Sequence, residues 1–557
     1  MRKIFYQSTG FALAFFVVTV FGSCNDYLTT DDAQKVSSGQ VISTVDGLSF
    51  VLTSTYQTLY FDTKASGDQV SAATFAYTGF PMRWDVQGAD IESTTNYGGA
   101  PSMIYQFSSE FTQATSVYPN EVWQVLYKTI NSASIVIDNA ETATGNDTKK
   151  KYIVAQAKAI RGLCYFQLLI NFQQTYAIAK NKRGVILRLH ANDPVSMGFS
   201  TVEKGYQQVV KDLTEAIDDL NGFTRAEKWE INADVASGIL ARVYQVMGNW
   251  QGAYDMASAV YKKYGSLMSK EQWYSGFDQL METGCDELVW GVKMTNTDNI
   301  SSNIQFSFWY NQDPGYGENM QDGPVYSFLQ MFVDQKYVDL FDDTDYRGTR
   351  CDKTSKVTDA DEQAVMFWHR TNNGDSELRN RWAYNKMKTY GNGSYDITRK
   401  QNSIYGISFP LMRGSEMLLI MAEAEANLGH GTQALGFLNT LRTARNAKTT
   451  DTAEKNSLLE EIYVERRKEL LGEGLTGSYD LLRLQKPLIR YGSTVSYPSG
   501  HFSWGISRLD GYNATAAQPM GRLESNDYRF ILQIPSAEIS YNDSITDKDQ
   551  NPYNGTN

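Results

Sequence analysis

Ala241, Gly248 and Ala253 stand in the spacing A-x6-G-x4-A, and Ala422, Gly429 and Ala434 repeat that spacing further along the chain. Alanines on facing helices let two backbones approach closely, and a glycine between them ends the first helix where the chain turns back. Both copies fall on helical patterns broken at the glycine, so each reads as a pair of antiparallel helices. The same periodicity runs through the first half. Over 206–220, Val209, Leu213, Ala216, Ile217 and Leu220 share one face, while Lys211, Glu215, Asp218 and Asp219 fall elsewhere. Residues 122–137 and 153–170 also read as helices, the second apolar almost all round and so expected to be buried.

This is the small-residue spacing of a tetratricopeptide-type helix pair, and pairs so far apart imply insertions between them. Residues 285–410 are rich in Gly, Asn, Asp and aromatics, with short strand-like runs such as Glu287-Leu-Val-Trp-Gly-Val292. Helical patterning returns at 414–445 and 455–471, and a loop-rich tail follows. The expected fold class is mainly α: tetratricopeptide-like helix pairs forming a scaffold, with long loops and a few short strands. Such a scaffold carries no chemistry of its own.

The first 24 residues read differently. Arg2 and Lys3 precede a ten-residue apolar run, Phe11 to Val20, and Phe21-Gly22-Ser23 leads into Cys24. That run is too short to span a bilayer and has the length of a signal-peptide core. Small residues immediately before a cysteine resemble a bacterial lipobox, so Cys24 is expected to be the lipidated first residue of the mature protein. The alternative is an ordinary secretory signal with an incidental cysteine. The expected division is a signal peptide over 1–23, the lipidated Cys24 with a polar tether over 24–50, a helical region over 51–284, and a second region over 285–557 with a loop-rich insertion.

Charge and motif content exclude several function classes. Fifty-one Lys and Arg against 63 Asp and Glu give a net charge of −12, and there is no basic run to neutralise phosphates, so nucleic acid is not expected as a partner. The four cysteines and four histidines are scattered, without the spacing of a zinc or iron–sulfur site. No phosphate-binding glycine loop or nucleophile elbow is present. No cofactor and no metal are expected. A pair of catalytic carboxylates leaves no short signature and stays open on this ground alone.

Several stretches, in order, resemble the SusD/RagB family of surface nutrient-binding lipoproteins. Cys24-Asn-Asp-Tyr-Leu28 looks like the family's mature N-terminus. Trp123, Tyr127, Ile130 and Asn131 match its W-x-x-x-Y-x-x-I-N helix, and Ala157-Lys-Ala-Ile-Arg161 with Tyr165, Phe166 and Leu168 resembles the next. Tyr206, Asp212-Leu213 and Ala216 follow. In the C-terminal half, Arg413, Glu416, Leu418-Leu419 and Ala422-Glu423-Ala424 resemble R-x-x-E-x-L-L-x-x-A-E-A, and Leu438-Asn439 with Arg442 resembles L-N-x-x-R. Glu465-Arg466-Arg467-Lys-Glu469-Leu470 matches E-R-R-x-E-L; Ile534-Pro535 with Glu538-Ile539, and Gln550-Asn551-Pro552, resemble the family's ending. The run Leu471-Gly472-Glu473-Gly474-Leu475-Thr476 departs from the aromatic and E-G-x-R that often follow, and Gly184-Val-Ile-Leu187 lacks the family's proline. The resemblance implies a non-enzymatic protein on the cell surface, lipid-anchored in the outer membrane. It would capture a glycan and deliver it to a SusC-like TonB-dependent transporter. A RagB-like peptide binder is the runner-up, and a surface glycoside hydrolase or a purely structural surface protein are the rivals. Arg161, Glu423, Glu465 and Arg466 are expected to form internal ion pairs, because charges on apolar helices need partners. Trp123 and Tyr127 are expected to pack in the core.

Two aromatic clusters lie beside polar side chains: Phe80-Pro-Met-Arg83-Trp84-Asp85 through Asp90 to Tyr97, and Phe308-Trp309-Tyr310-Asn311-Gln-Asp313-Pro-Gly-Tyr316. An exposed ring can stack on the apolar face of a sugar while Arg, Asp and Asn bond its hydroxyls. The candidate ligand site is therefore Trp84, Trp309, Tyr310 and Tyr316 as stacking surfaces, with Arg83, Asp90 and Asn311 as hydrogen-bonding neighbours. The alternative is that these rings pack loops onto the helical body.

Overall fold

The computed structural model describes residues 38–61, 76–93, 104–277 except 106 and 108, 280–281, 284–293, 331–351, 364–369, 382–386 except 385, 408–491 and 519–552. The N-terminal half is built from α1 (Ser38–Ile42), α2 (Val45–Phe61), α3 (Ala76–Val86), β1 (Ile91–Ser93), α4 (Val117–Asn139), α5 (Asp147–Phe172), α6 (Val202–Asp219), α7 (Ala233–Met247) and α8 (Trp250–Tyr264). The remainder begins with β2 (Leu288–Lys293), β3 (Met331–Val333), α9 (Gln335–Val338), β4 (Arg350–Cys351), β5 (Phe367–His369), β6 (Trp382–Tyr384) and β7 (Ser408–Arg413). It continues through α10 (Gly414–Leu428), α11 (Gly431–Ala444), α12 (Lys455–Leu470), α13 (Ser478–Arg483), β8 (Leu488–Tyr491), β9 (Pro519–Leu523) and α14 (Ser536–Tyr541).

The helices form a continuous stack in which α2 packs on α4, α4 on α5, α5 on α6, α6 on α7 and α7 on α8. From α8 the stack crosses to α10, which in turn packs on α11 and α12. Both predicted helix pairs are present, as α7–α8 and α10–α11. Gly248 and Gly429 cap the first helix of each in the left-handed conformation, at φ of 71° and 88°. A Cβ there would meet the following carbonyl, which is why glycine holds both turns. Ala241, Ala253, Ala422 and Ala434 are all fully buried at the crossings. Starts are equally local: Asn146, Thr201, Asn232 and Asn249 each accept a hydrogen bond from a first-turn N–H of the helix they precede.

α5 is long and apolar enough to cross a membrane, but its most apolar window is 83% buried within the fold. It is a core helix, as its lack of a polar face requires. Within the stretch 24–50, expected to be a polar tether, α1 begins at Ser38, and Val45 and Leu48 of α2 are buried.

The described residues form three sheets, of which the largest joins the halves. The largest has strand order β1-β3-β6-β5-β4 and pairs Ile91 with Val333 and Ser93 with Met331, antiparallel. β2 and β7 form an antiparallel pair, as do β8 and β9. The tail then returns to the first half: the Leu532 N–H donates to the Asn171 carbonyl (2.9 Å), and Asn551 Nδ2 donates to the carbonyls of Phe172 (2.8 Å) and Leu532 (2.6 Å).

Candidate ligand site

The charged motif on α12 determines how the C-terminal half is held. Glu465 and Glu469 lie four apart, one turn of helix, and point into a buried cluster of arginines. Arg347 donates to Glu465 (2.5 Å), Glu469 (2.8 Å) and Asp345 (2.8 Å). Arg413 bonds Glu287 (2.5 Å), Glu469 (2.9 Å) and Glu473 (2.7 Å), and Arg445 bonds Glu469 (2.8 Å). Burial alone would raise these carboxyls. The surrounding cations overcome it: Arg347, Lys468 and Arg442 bring Glu465 down to about 2, and Arg445, Arg413 and Arg347 hold Glu469 well below the carboxylate range. Lys386 shares the cluster through Glu473 (2.6 Å), and burial pulls its ammonium down to about 8 against that partner.

The other motif charges are locked the same way. Arg161 makes two bonds to Asp212 (2.9 and 2.8 Å), Arg466 pairs with Asp480, and Glu423 with Arg483. Trp123 is buried with its ring centroid 4.7 Å from that of Tyr127. These residues are structural, as expected. A carboxylate held ionised by two or three arginines, as Glu465 and Glu469 are, is a poor proton donor and unsuited to general-acid chemistry.

The first aromatic cluster is placed differently from the sequence expectation. Arg83, Trp84 and Asp90 are 0%, 2% and 3% exposed. The Arg83 guanidinium donates to Asn171 Oδ1 (2.9 Å) and to the Phe530 carbonyl, and lies 4.8 Å over the Trp84 ring. Burial lowers it to about 10. Trp84 packs edge-on against Tyr479. Asp90 is bonded by Nε (2.8 Å) and Nη2 of Arg467. Arg83 and Trp84 are therefore core residues, and Asp90 is committed to an internal pair; none of the three offers a ligand surface. The segment looked non-helical because the described side chains of α3, Arg83 and Asp85 among them, are all buried, so charge and apolar residues share its faces without a stripe. Its neighbour Asp85 accepts from the N–H groups of Gly472 (2.9 Å), Gly474 (3.0 Å) and Thr476 (3.3 Å) and from the Thr476 hydroxyl (2.6 Å). Burial nonetheless raises it to about 6. These donors come from the very run that departs from the family pattern.

Trp309, Tyr310, Asn311 and Tyr316 lie outside the described residues, as do Tyr97 and Cys24. The pairing of β1 with β3 makes Ser93 and Met331 register partners, so the ends of the two stretches that flank the clusters are adjacent.

Next to that junction is a cavity of about 300 Å³, at the small end of the range of ligand pockets. Tyr105, Lys336, Tyr463, Arg467, Leu481 and Arg490 are among its walls, with Asp334 at one side and Leu488 and Ile489 of β8 along another. Arg467 lies 5.5 Å from the Tyr463 ring centre and is fixed by Asp90. Arg490 donates to the carbonyls of Gly88 (2.9 Å), Val86 (3.0 Å) and Tyr105 (2.5 Å), and covers the Tyr105 ring at 3.8 Å. A flat aromatic wall, aliphatic side chains and oriented cations can hold a small polar ring. Sequence reasoning named none of these wall residues as ligand contacts, because they come from separate stretches of chain; Asp90, which it did name, is the ion-pair partner of Arg467. A second space, beneath Trp84, is about 20 Å³, room for one water.

A mainly helical stack of paired helices, joined by short sheets and bearing a mixed pocket at the junction, defines a binding scaffold. Its relatives carry the same architecture. Residues 355–553 match the family model described as SusD family, and residues 57–245 match the one described as starch-binding associating with outer membrane. Among solved structures, a SusD-like carbohydrate binding protein from Bacteroides vulgatus is 24% identical. It aligns over 92% of this chain and 99% of its own with a TM-score of 0.70. A SusD superfamily protein from Bacteroides thetaiotaomicron is 23% identical over 92% and 100%, with a TM-score of 0.68. One from Parabacteroides distasonis is 16% identical over 94% and 100%, at 0.64. No curated protein matches. The chain belongs to the SusD/RagB family.

Proposed function

We propose that the protein is a cell-surface glycan-binding lipoprotein, anchored in the outer membrane through Cys24, that delivers oligo- or polysaccharide to a SusC-like TonB-dependent transporter. The observation that carries this reading is family membership across both halves, together with a fold shared end to end with a SusD-like carbohydrate binding protein. The cavity beside Tyr463 supports it, since it offers an aromatic wall and polar groups without any step of chemistry. Affinity comes from stacking and hydrogen bonds, and the transporter supplies the energy of translocation. The protein itself cleaves nothing. The charged motif residues, which could have been a hydrolase's acids, are engaged in ion pairs.

A glycan and peptide array probed with the purified protein tests the reading. Saturable binding to one glycan class, with no reducing ends released on long incubation, is the expected result. Binding confined to peptides, or sugar release in proportion to protein concentration, overturns it.

A further inference from the structure

We propose that the cavity beside Tyr463 takes a neutral sugar ring bearing a methyl group, as a 6-deoxy or an N-acetylated sugar does. This rests on the reading of the protein as a glycan binder. The composition of the walls carries the inference. Ala89, Leu340, Leu481, Pro487, Leu488 and Ile489 line the space together with the rings of Tyr105 and Tyr463, so apolar residues outnumber the four charged ones. Each charged group is already engaged within the fold. Asp90 takes Nε and Nη2 of Arg467, and Arg490 donates to the carbonyls of Val86, Gly88 and Tyr105. Asp334 counters the charge of Lys336 and accepts from its backbone N–H (2.7 Å). What the cavity gives a ligand is therefore chiefly contact with carbon.

Contact with carbon separates sugars by a single group. An ordinary hexose carries a hydroxymethyl arm, whose hydroxyl loses its water when laid against Leu and Ile side chains. A methyl in the same place gains by leaving water, whether it is the C6 of a 6-deoxy sugar or the end of an acetamido group. Tyr463 meets the C–H face of the ring itself. An ionised sugar would have to displace pairs already made, such as Arg467 with Asp90.

Calorimetric titration and saturation-transfer NMR of the full chain in detergent, with four pairs of sugars, test the assignment. The pairs are L-fucose and L-galactose, L-rhamnose and L-mannose, N-acetylglucosamine and glucose, and N-acetylgalactosamine and galactose. At least one methyl-bearing sugar is expected to bind roughly fourfold tighter than its partner, the effect of burying one such group. Its methyl protons are expected to be the most strongly saturated. The first two pairs read a 6-deoxy methyl, and the last two an acetamido methyl. In the double variant Ile489→Thr with Leu340→Gln the preference is expected to vanish. Thr keeps the branched side chain that β8 favours, and Leu340 is half-buried in a turn, so the fold is retained. Thermal melting checks this, and the comparison of pairs on the native chain stands without the variant. Equal or absent binding within every pair, tighter binding of glucuronate than of glucose, or a preference that survives in the folded variant overturns the proposal and leaves glycan capture standing. If the array above finds no glycan of any kind, the functional reading fails along with it.

Discussion

Asp85 and Glu465 are both fully enclosed, and they titrate in opposite directions. Burial raises Asp85 to about 6, above the roughly 3.9 of an unfolded aspartate, so its proton stabilises the fold. That contribution is complete below about pH 4 and is lost as pH rises through 6. Glu465, brought down to about 2 by Arg347, Lys468 and Arg442, behaves conversely. Its contribution is present above the unfolded value near 4.3 and is lost as pH falls toward 2. Urea midpoints are therefore expected to peak near pH 5, and Asp85→Asn should remove the decline between pH 5 and 7. A decline unchanged in that variant would show that another group titrates there. Glu469→Gln removes the charge that three arginines share, and is expected to cost about 3–5 kcal/mol in equilibrium unfolding. A loss under about 1 kcal/mol would mean the cluster relaxes around the change. At this scale the pairing of Arg161, Glu423, Glu465 and Arg466 was legible, because charges on apolar helices must find partners. The fate of Arg83 and Trp84 was not. An arginine beside a tryptophan reads alike whether the pair meets solvent or, as here, the Phe530 carbonyl and Asn171.

Glycines separate two kinds of helical position. Gly429 ends α10 at a φ of 88°, so Gly429→Ala is expected to lower stability by about 1 kcal/mol. Gly436 lies inside α11 with open space around its Cα, and Gly436→Ala is expected to raise stability by about 0.5–1 kcal/mol. Thermal melting of the two variants checks both signs at once. Helix pairs, their turns and their caps could be read from the sequence because each depends on neighbours a few residues apart. α3 could not, since its described side chains are buried whether apolar or charged, which erases its period. The β1–β3 pair could not either, because its partners are distant in the chain and only three residues long. The cavity inherits that difficulty. Its walls meet only once this pair, α12 and β8 are all assembled.

For the molecule as a whole, the order of family motifs along the chain was enough to indicate the architecture, while the ligand walls had to come from the fold. Anchoring is tested at this scale. Cys24→Ala is expected to shift the protein from the membrane to the soluble fraction after cell breakage. Retention in the membrane would refute the lipid anchor, and release by removing a single acyl group would fit the marginal hold of one chain. The return of the tail to α5 bears on how such a chain is made. Arg83 needs the Phe530 carbonyl, Asn171 needs the Leu532 amide, and Phe172 needs Asn551. On a ribosome or in an export channel these partners emerge hundreds of residues after the groups that wait for them, so the first half passes most of its synthesis with an open seam. Vectorial translation cannot finish it piecemeal; closure is a late event, and a chain stalled before residue 530 is left for proteases to recognise.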